Sequence, residues 1–318
     1  MAIALFKREE EDRRFLPVET LNLLYNLLTT LLIIIFYNNL RHPQEMLMSH
    51  FVIVVATFAL IYLYTRFPSP ALRLVRMVTQ MSLLVYWYPE TFEFNRMFPN
   101  LDHIFAQMEY TLLGSQPSLY FDTIFSGRVW RELFNFGYWA YYPMISVICF
   151  WYFFKEPENV RRCTFIIQSS FFIYYLLFIF LPVAGPQFYF PVIGEDLAVA
   201  GPYYPIKYYF DLYPDIAIPQ EGKEGFFTAL VNIAQESGER PTAAFPSSHI
   251  GISTILIILA FKSNKKLGWV LTPIYILLCG ATVYIKAHYL IDGIAGIISG
   301  VLLYLLMDYI FKRMTKSA

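Results

Sequence analysis

Two histidines stand where apolar helices begin, and each has polar company. His288 lies in KAHYLIDGIAG with Asp292 four residues later, so on a helix the carboxylate falls one turn away on the same face. A carboxylate that accepts the Nδ1 proton fixes the tautomer and leaves the Nε2 lone pair outward, which makes an imidazole a nucleophile or a base. The plainer reading of the same pair is a polar cap on a helix. His249 lies in RPTAAFPSSHIGIST. Pro246 suits the first helical position, and Ser247 and Ser248 follow in a first turn whose backbone N–H groups have no partner within the helix. Such helix starts bind anions, phosphate above all. Arg240, a few residues upstream, has the planar fork to close on the same anion.

These residues work together only if the chain brings them to one level. Of 318 residues, 57% are hydrophobic and 19% aromatic but only 15% charged, too few charges to cover a soluble domain of that length. The chain reads as an all-α, polytopic membrane bundle. A hydrocarbon core about 30 Å thick takes about 20 apolar residues per helix. That gives eight spans: Leu21–Asn39, His50–Thr65, Leu72–Tyr88, Gly137–Phe154, Cys163–Val183, Ser247–Phe261, Leu267–Ile285 and Tyr289–Phe311. With the N-terminus in the cytoplasm, the basic clusters at Arg66 to Arg76, Lys155 to Arg162, Lys262 to Lys266 and Lys312 to Lys316 share one side, as the positive-inside rule expects. Both termini are then cytoplasmic. His249 and His288 meet at the opposite face, one helical hairpin apart, which is periplasmic, extracellular or lumenal according to the membrane.

That face also carries two long connections, 89–136 and 184–246, rich in aromatics, prolines and acids and expected to form a folded cap. Within the first, Leu119–Phe136 reads as an amphipathic helix on the membrane surface. A net charge of zero argues against nucleic acid as a partner. Cys149, Cys163 and Cys279 lack paired spacing and read as apolar packing residues, so neither a disulfide framework nor a zinc site is expected. His42, His50 and His103 read as loop or interfacial residues. MAIALFKREEEDRR has no cleavable signal pattern, which leaves the first span to direct insertion.

FPSSH followed by HYLID resembles the type 2 phosphatidic acid phosphatase superfamily of membrane phosphatases and phosphotransferases. There a PSGH-like motif opens one span, and a histidine with an aspartate four residues later opens the next but one. The resemblance covers the last six spans and implies a six-span catalytic core, residues 71–318, preceded by a tail and two added spans in residues 1–70. It implies that His288 attacks phosphorus, Asp292 supports it and His249 protonates the leaving oxygen. Arg240, Ser247 and Ser248, with Lys286 near the same mouth, would hold the phosphate oxygens. The expected partners are a membrane lipid phosphate, an alcohol or lipid acceptor, and the bilayer itself; no metal and no cofactor is expected.

Two departures from the family pattern carry information. The lysine of its first motif falls at Ile233, leaving only Arg240-Pro241, with Lys207 and Lys223 as the nearest cap lysines; the Ser-Arg before the family's second histidine is Ala281-Thr282 here. This looks more like the branch of fungal inositol phosphorylceramide synthases and sphingomyelin synthases, which move phosphorylated head groups between lipids. Phosphomonoester hydrolysis is the first expectation and head-group transfer the second. A transporter is the rival from another class, because intramembrane histidines and carboxylates also build proton relays. It would place them near the midplane, commonly in repeated halves, whereas here they cluster at one mouth and no repeat is visible.

Overall fold

The computed structural model describes residues 15–214 and 225–316, and every long element among them is a helix. MAIALFKREEEDRR and Lys223 lie outside the described residues. Proline sets the first starts: α1 (Pro17–Ile35), α2 (Pro43–Arg66) and α3 (Pro70–Ser82) each open on one, where the missing N–H has no helical acceptor to lose. α4 (Leu84–Asn95) follows α3 across Leu83 alone. The cap connections fold as α5 (Asp102–Leu113), α6 (Pro117–Ile124) and α7 (Arg128–Trp139), and as α10 (Pro186–Ile193), α11 (Glu195–Ala200), α12 (Tyr209–Leu212) and α13 (Phe226–Gly238). Between the two caps run α8 (Tyr141–Lys155) and α9 (Val160–Phe180), and the chain ends in α14 (Ser248–Ser263), α15 (Lys265–Tyr284) and α16 (Leu290–Lys316).

Five of these helices, α1, α2, α9, α15 and α16, are long and apolar enough to cross a membrane, and α14 is a shorter apolar helix. The fold is therefore the all-α polytopic bundle that the composition predicts. The expected spans at Leu72–Tyr88 and Gly137–Phe154 are each built differently, from two helices meeting at Leu83 and at Ala140. The single surface helix expected over Leu119–Phe136 is also two helices, α6 and α7, because the chain turns at Gly127 with φ +95°. Phe134 of α7 is buried, stacked on Tyr284 of α15 with ring centroids 4.6 Å apart.

α9 is the hub of the bundle, packing on α1, α4, α8, α14 and α16, with Ile166, Ile167, Tyr174 and Phe178 fully buried. α14 and α16 approach so closely that glycines of α16 lie against the backbone of α14. A Cβ on Gly300 would lie 2.5 Å from the Gly251 carbonyl, and one on Gly296 would lie 2.7 Å from the Ser247 carbonyl. Small residues are what permit such contact between membrane helices, where burying apolar surface gains nothing over lipid.

Polar residues fasten the N-terminal helices to the rest. Glu19 of α1 takes a bidentate pair from Arg76 of α3, Nε to Oε1 and Nη2 to Oε2, both 2.7 Å, with both side chains buried. Asn22 of α1 donates to the Gln80 side chain at 2.8 Å and accepts from the Trp87 indole at 3.0 Å, while Gln80 donates to Thr57 of α2 at 2.9 Å. His50 is not interfacial as its place at a span start predicts. It is buried between the Glu90 carboxylate at 2.8 Å and the Thr30 hydroxyl at 2.7 Å. Every one of these groups would be costly in lipid unless it was paired, which ties α3 and α4 to α1 and α2.

Candidate active site

The two motif histidines come together at the start of α14 and just ahead of α16. Their ring centroids lie 5.9 Å apart, brought there by the α15 hairpin as the sequence predicts. Ser247 caps α14, its Oγ accepting the Ile250 N–H at 3.4 Å. Pro246 therefore precedes the cap instead of occupying the first helical position. The Ser247 N–H donates to the main-chain carbonyl of Asp292 at 3.1 Å, which fixes this helix start against the first turn of α16. The amides of Ser248 and His249 occupy the opening turn, where no intrahelical acceptor exists.

The polar partners of His288 differ from the expected ones. Its Nδ1 lies 2.7 Å from the carbonyl of Ala244 and 3.7 Å from Oδ2 of Asp292. A carbonyl only accepts, so Nδ1 carries the proton and Nε2 keeps its lone pair. The tautomer is the one expected, but a main-chain oxygen in AAFPSSH sets it. Asp292 is buried and accepts the Tyr289 N–H at 2.9 Å through Oδ2, which braces the turn on which the imidazole sits. Burial drives the His288 imidazole down to about 4, outweighing the Ala244 carbonyl and the Glu239 charge, which both favour the protonated form.

His249 packs against two tyrosine rings, Tyr138 at 4.8 Å and Tyr141 at 4.5 Å between centroids. The Tyr138 hydroxyl donates to Oε1 of Glu239 at 2.6 Å, and Gln187 Nε2 donates to Oε2 at 2.9 Å. Glu239 thus ties the cap to the ring beside His249. Arg240, half-buried, reaches the Glu239 carbonyl with Nη1 at 3.2 Å. Lys286 pairs through its Nζ with Asp122 at 3.2 Å, and its backbone sits at φ +62°.

Two buried acids of α5 hold the same loops. Asp102 accepts the N–H groups of Ala184 (2.7 Å) and Gly185 (2.8 Å) and the Tyr289 hydroxyl (3.0 Å). Glu109 accepts the Ile291 N–H at 3.1 Å, at the open start of α16, and burial pushes its carboxyl up to about 7. The signal for both was present in LDHIFAQMEY, where acids seven residues apart fall on one helix face. Tyr138 and Glu239 had no such signal, because only the folded cap brings them to His249.

Two cavities flank this centre. A groove of about 460 Å³ includes Ser248, His249 and Glu239 in its lining, which is otherwise largely apolar. A cavity of about 640 Å³ on the cap side is lined by Asn135, Gln187, Asn232 and Gln235, with Asp122 and Lys286 at one wall. The contact between Gln187 and Glu239 links the cavity wall to the groove end.

No curated protein and no solved structure matches this chain. The sequence pattern of the PAP2 superfamily matches residues 105–306, more than half of the chain, including His249 and His288. By sequence and by the apolar helices that carry it, the chain belongs to the PAP2 superfamily of membrane lipid phosphatase-type proteins.

Proposed function

We propose that the protein is an integral-membrane lipid phosphatase working through a phosphohistidine at the non-cytoplasmic face. The observation that carries this reading is the facing pair of histidines, one of them locked as the Nδ1–H tautomer. His288 Nε2 attacks phosphorus as the bond to the leaving oxygen breaks, and His249, protonated when the anionic phosphate binds beside it, gives that oxygen its proton. Water then attacks the phosphohistidine and passes a proton to His249, the N–P bond breaks, and both imidazoles return to their starting state. Asp292 braces the nucleophile. Arg240, the Ser247 and Ser248 side chains and the opening amides of α14 hold the phosphate oxygens as charge builds on them. Lys286, paired with Asp122, acts on the cap side. The catalytic core is residues 71–318, with residues 1–70 an addition, and both termini face the cytoplasm.

Head-group transfer is the second reading, favoured by the cap-side cavity. Its carboxamides, and an ion pair that leaves little net charge, suit a neutral hydroxyl-bearing group better than a second anion. An alcohol bound there would take the place of water in the second step, as in the inositol phosphorylceramide and sphingomyelin synthases that the motifs resemble. The purified protein, incubated with phosphatidic acid and with a phosphodiester lipid plus a lipid alcohol, separates the readings by mass spectrometry. Free phosphate alone marks hydrolysis, and a new phosphorylated lipid marks transfer. Unchanged turnover of every substrate by His288→Ala removes the proposed nucleophile.

A further inference from the structure

The groove that ends at His249 is walled on one side by α3 and α4, which lie outside the region matched by the superfamily pattern. Met77, Val78, Met81, Leu84, Val85 and Tyr88 face it from that side, and Tyr141, Ile145, Cys149 and Phe150 of α8 face it from the other. Ser248, His249 and Glu239 line it beside Tyr141, whose ring packs on His249 at 4.5 Å, and Ile145, Cys149 and Phe150 continue the lining one and two turns further along α8. The outer part faces the surroundings of the bundle: Val85 is 76% exposed and Phe150 is 40% exposed.

We infer that this groove seats a hydrocarbon chain of the lipid substrate, with α3 and α4 as a chain-selecting wall that the N-terminal helices hold in place. The inference rests on the lipid-phosphate reading for which end of the ligand is reactive. A polar end opening onto the histidines and an apolar trough leading away match a molecule with a phosphate at one end and an alkyl chain behind it. A second copy of the chain or a helix from a partner would have to place an apolar surface against Glu239 and His249, which a lipid phosphate does not.

The helix faces explain how the wall stays fixed. On α3, Met77, Val78 and Met81 look into the groove, whereas Arg76 and Gln80 turn away to Glu19, Asn22 and Thr57. On α4, Leu84, Val85 and Tyr88 face the groove, whereas Trp87 and Glu90 turn away to Asn22 and His50. Each helix thus presents an apolar face to the ligand and a hydrogen-bonded face to α1 and α2. The break at Leu83 lets both helices follow one trough. The buried polar residues of α3 and α4 are thus the fastening of a binding wall.

Two measurements on the full-length protein in detergent or nanodiscs test this. In the first, a phosphatidic acid with a photoreactive diazirine on its acyl chain is crosslinked and the labelled peptides are identified. Label is expected in residues 77–88 and 141–150, and to be lost in Met81→Trp and in Ile145→Trp, one from each wall. Ile298→Trp, on the outer face of α16 and 56% exposed, should leave it unchanged. In the second, the ratio of kcat/KM for a long-chain over a short-chain lipid phosphate should fall by at least about tenfold in either wall variant. Label spread over outward-facing helices, or a chain-length ratio unmoved by both wall variants, overturns the inference. Localised label in a protein that turns over no lipid phosphate sustains the groove and instead defeats the lipid-phosphatase reading. Crosslinking needs no turnover, so the two failures are distinguishable.

Discussion

At the scale of single residues, the account turns on which nitrogen of His288 is free. The Ala244 carbonyl accepts a hydrogen bond from Nδ1–H and leaves Nε2 free, so replacing His288 by alanine should lower turnover by about 10³-fold or more, whereas His249→Ala should cost about 10²- to 10⁴-fold, the range of a general acid. Steady-state assays on a lipid phosphate check both. Burial also sets the pH dependence. With the imidazole at about 4 in the fold and near its ordinary value of 6.5 when unfolded, the unfolded chain binds this proton first as pH falls. Stability should therefore rise with pH between about 4 and 6.5, and His288→Gln should flatten that part of the slope in thermal melts. In the sequence His288 and Asp292 stand out by their spacing of four, and His249 by the polar helix start FPSSH, although His288 itself lies just ahead of α16. The sequence did not show that Ala244 is the Nδ1 acceptor, since a backbone carbonyl has no signature in side-chain types. Nor did it show the Lys286–Asp122 pair, which depends on where α6 folds.

At the scale of elements, the site depends on how closely α14 and α16 approach. Gly296→Ala would push a methyl into the Ser247 carbonyl, which lies 2.7 Å from that position, and so displace the cap of α14. Its expected signature is a loss of turnover larger than its loss of thermal stability, measured on the same preparation. The fastening of α3 is open to a parallel test. Arg76→Met strands Glu19 without its partner and should cost about 3–5 kcal/mol, while Glu19→Leu combined with Arg76→Met should recover much of it, both read from denaturation in detergent. Helix positions were largely legible from apolar runs. The breaks at Leu83 and Ala140 were not, because both residues keep αR backbone angles and neither is a glycine or a proline. Gly127 carried a readable signal, as a glycine between two amphipathic stretches, but the continuous apolar pattern from Phe121 to Phe134 concealed it.

At the scale of the whole molecule, charge placement fixes an expected orientation. A membrane-impermeant thiol reagent on sealed cells should label a Tyr204→Cys variant in the cap, where the native side chain is 54% exposed. Lys265→Cys, exposed at the first position of α15, should react only after permeabilisation. Cys149 and Cys163 are buried and Cys279 is half-buried, so the experiment is run with Cys279→Ala as the parent. The reverse pattern would move the candidate site to the cytoplasmic face. The positive-inside pattern was readable because short basic loops state it directly. The two cavities were not, since each is assembled from helices far apart in the chain, α3, α4 and α8 for the groove and α7, α10 and α13 for the cap side.

The most direct test of the central claim is to trap the covalent intermediate. Protein mixed with a lipid phosphate carrying labelled phosphorus is quenched in alkali within one turnover, digested and mapped by mass spectrometry. The predicted result is an acid-labile phosphoryl group on the peptide containing His288, absent from His288→Ala. Label on Ser247, Ser248 or His249, or ongoing turnover with no label at His288, would contradict the account.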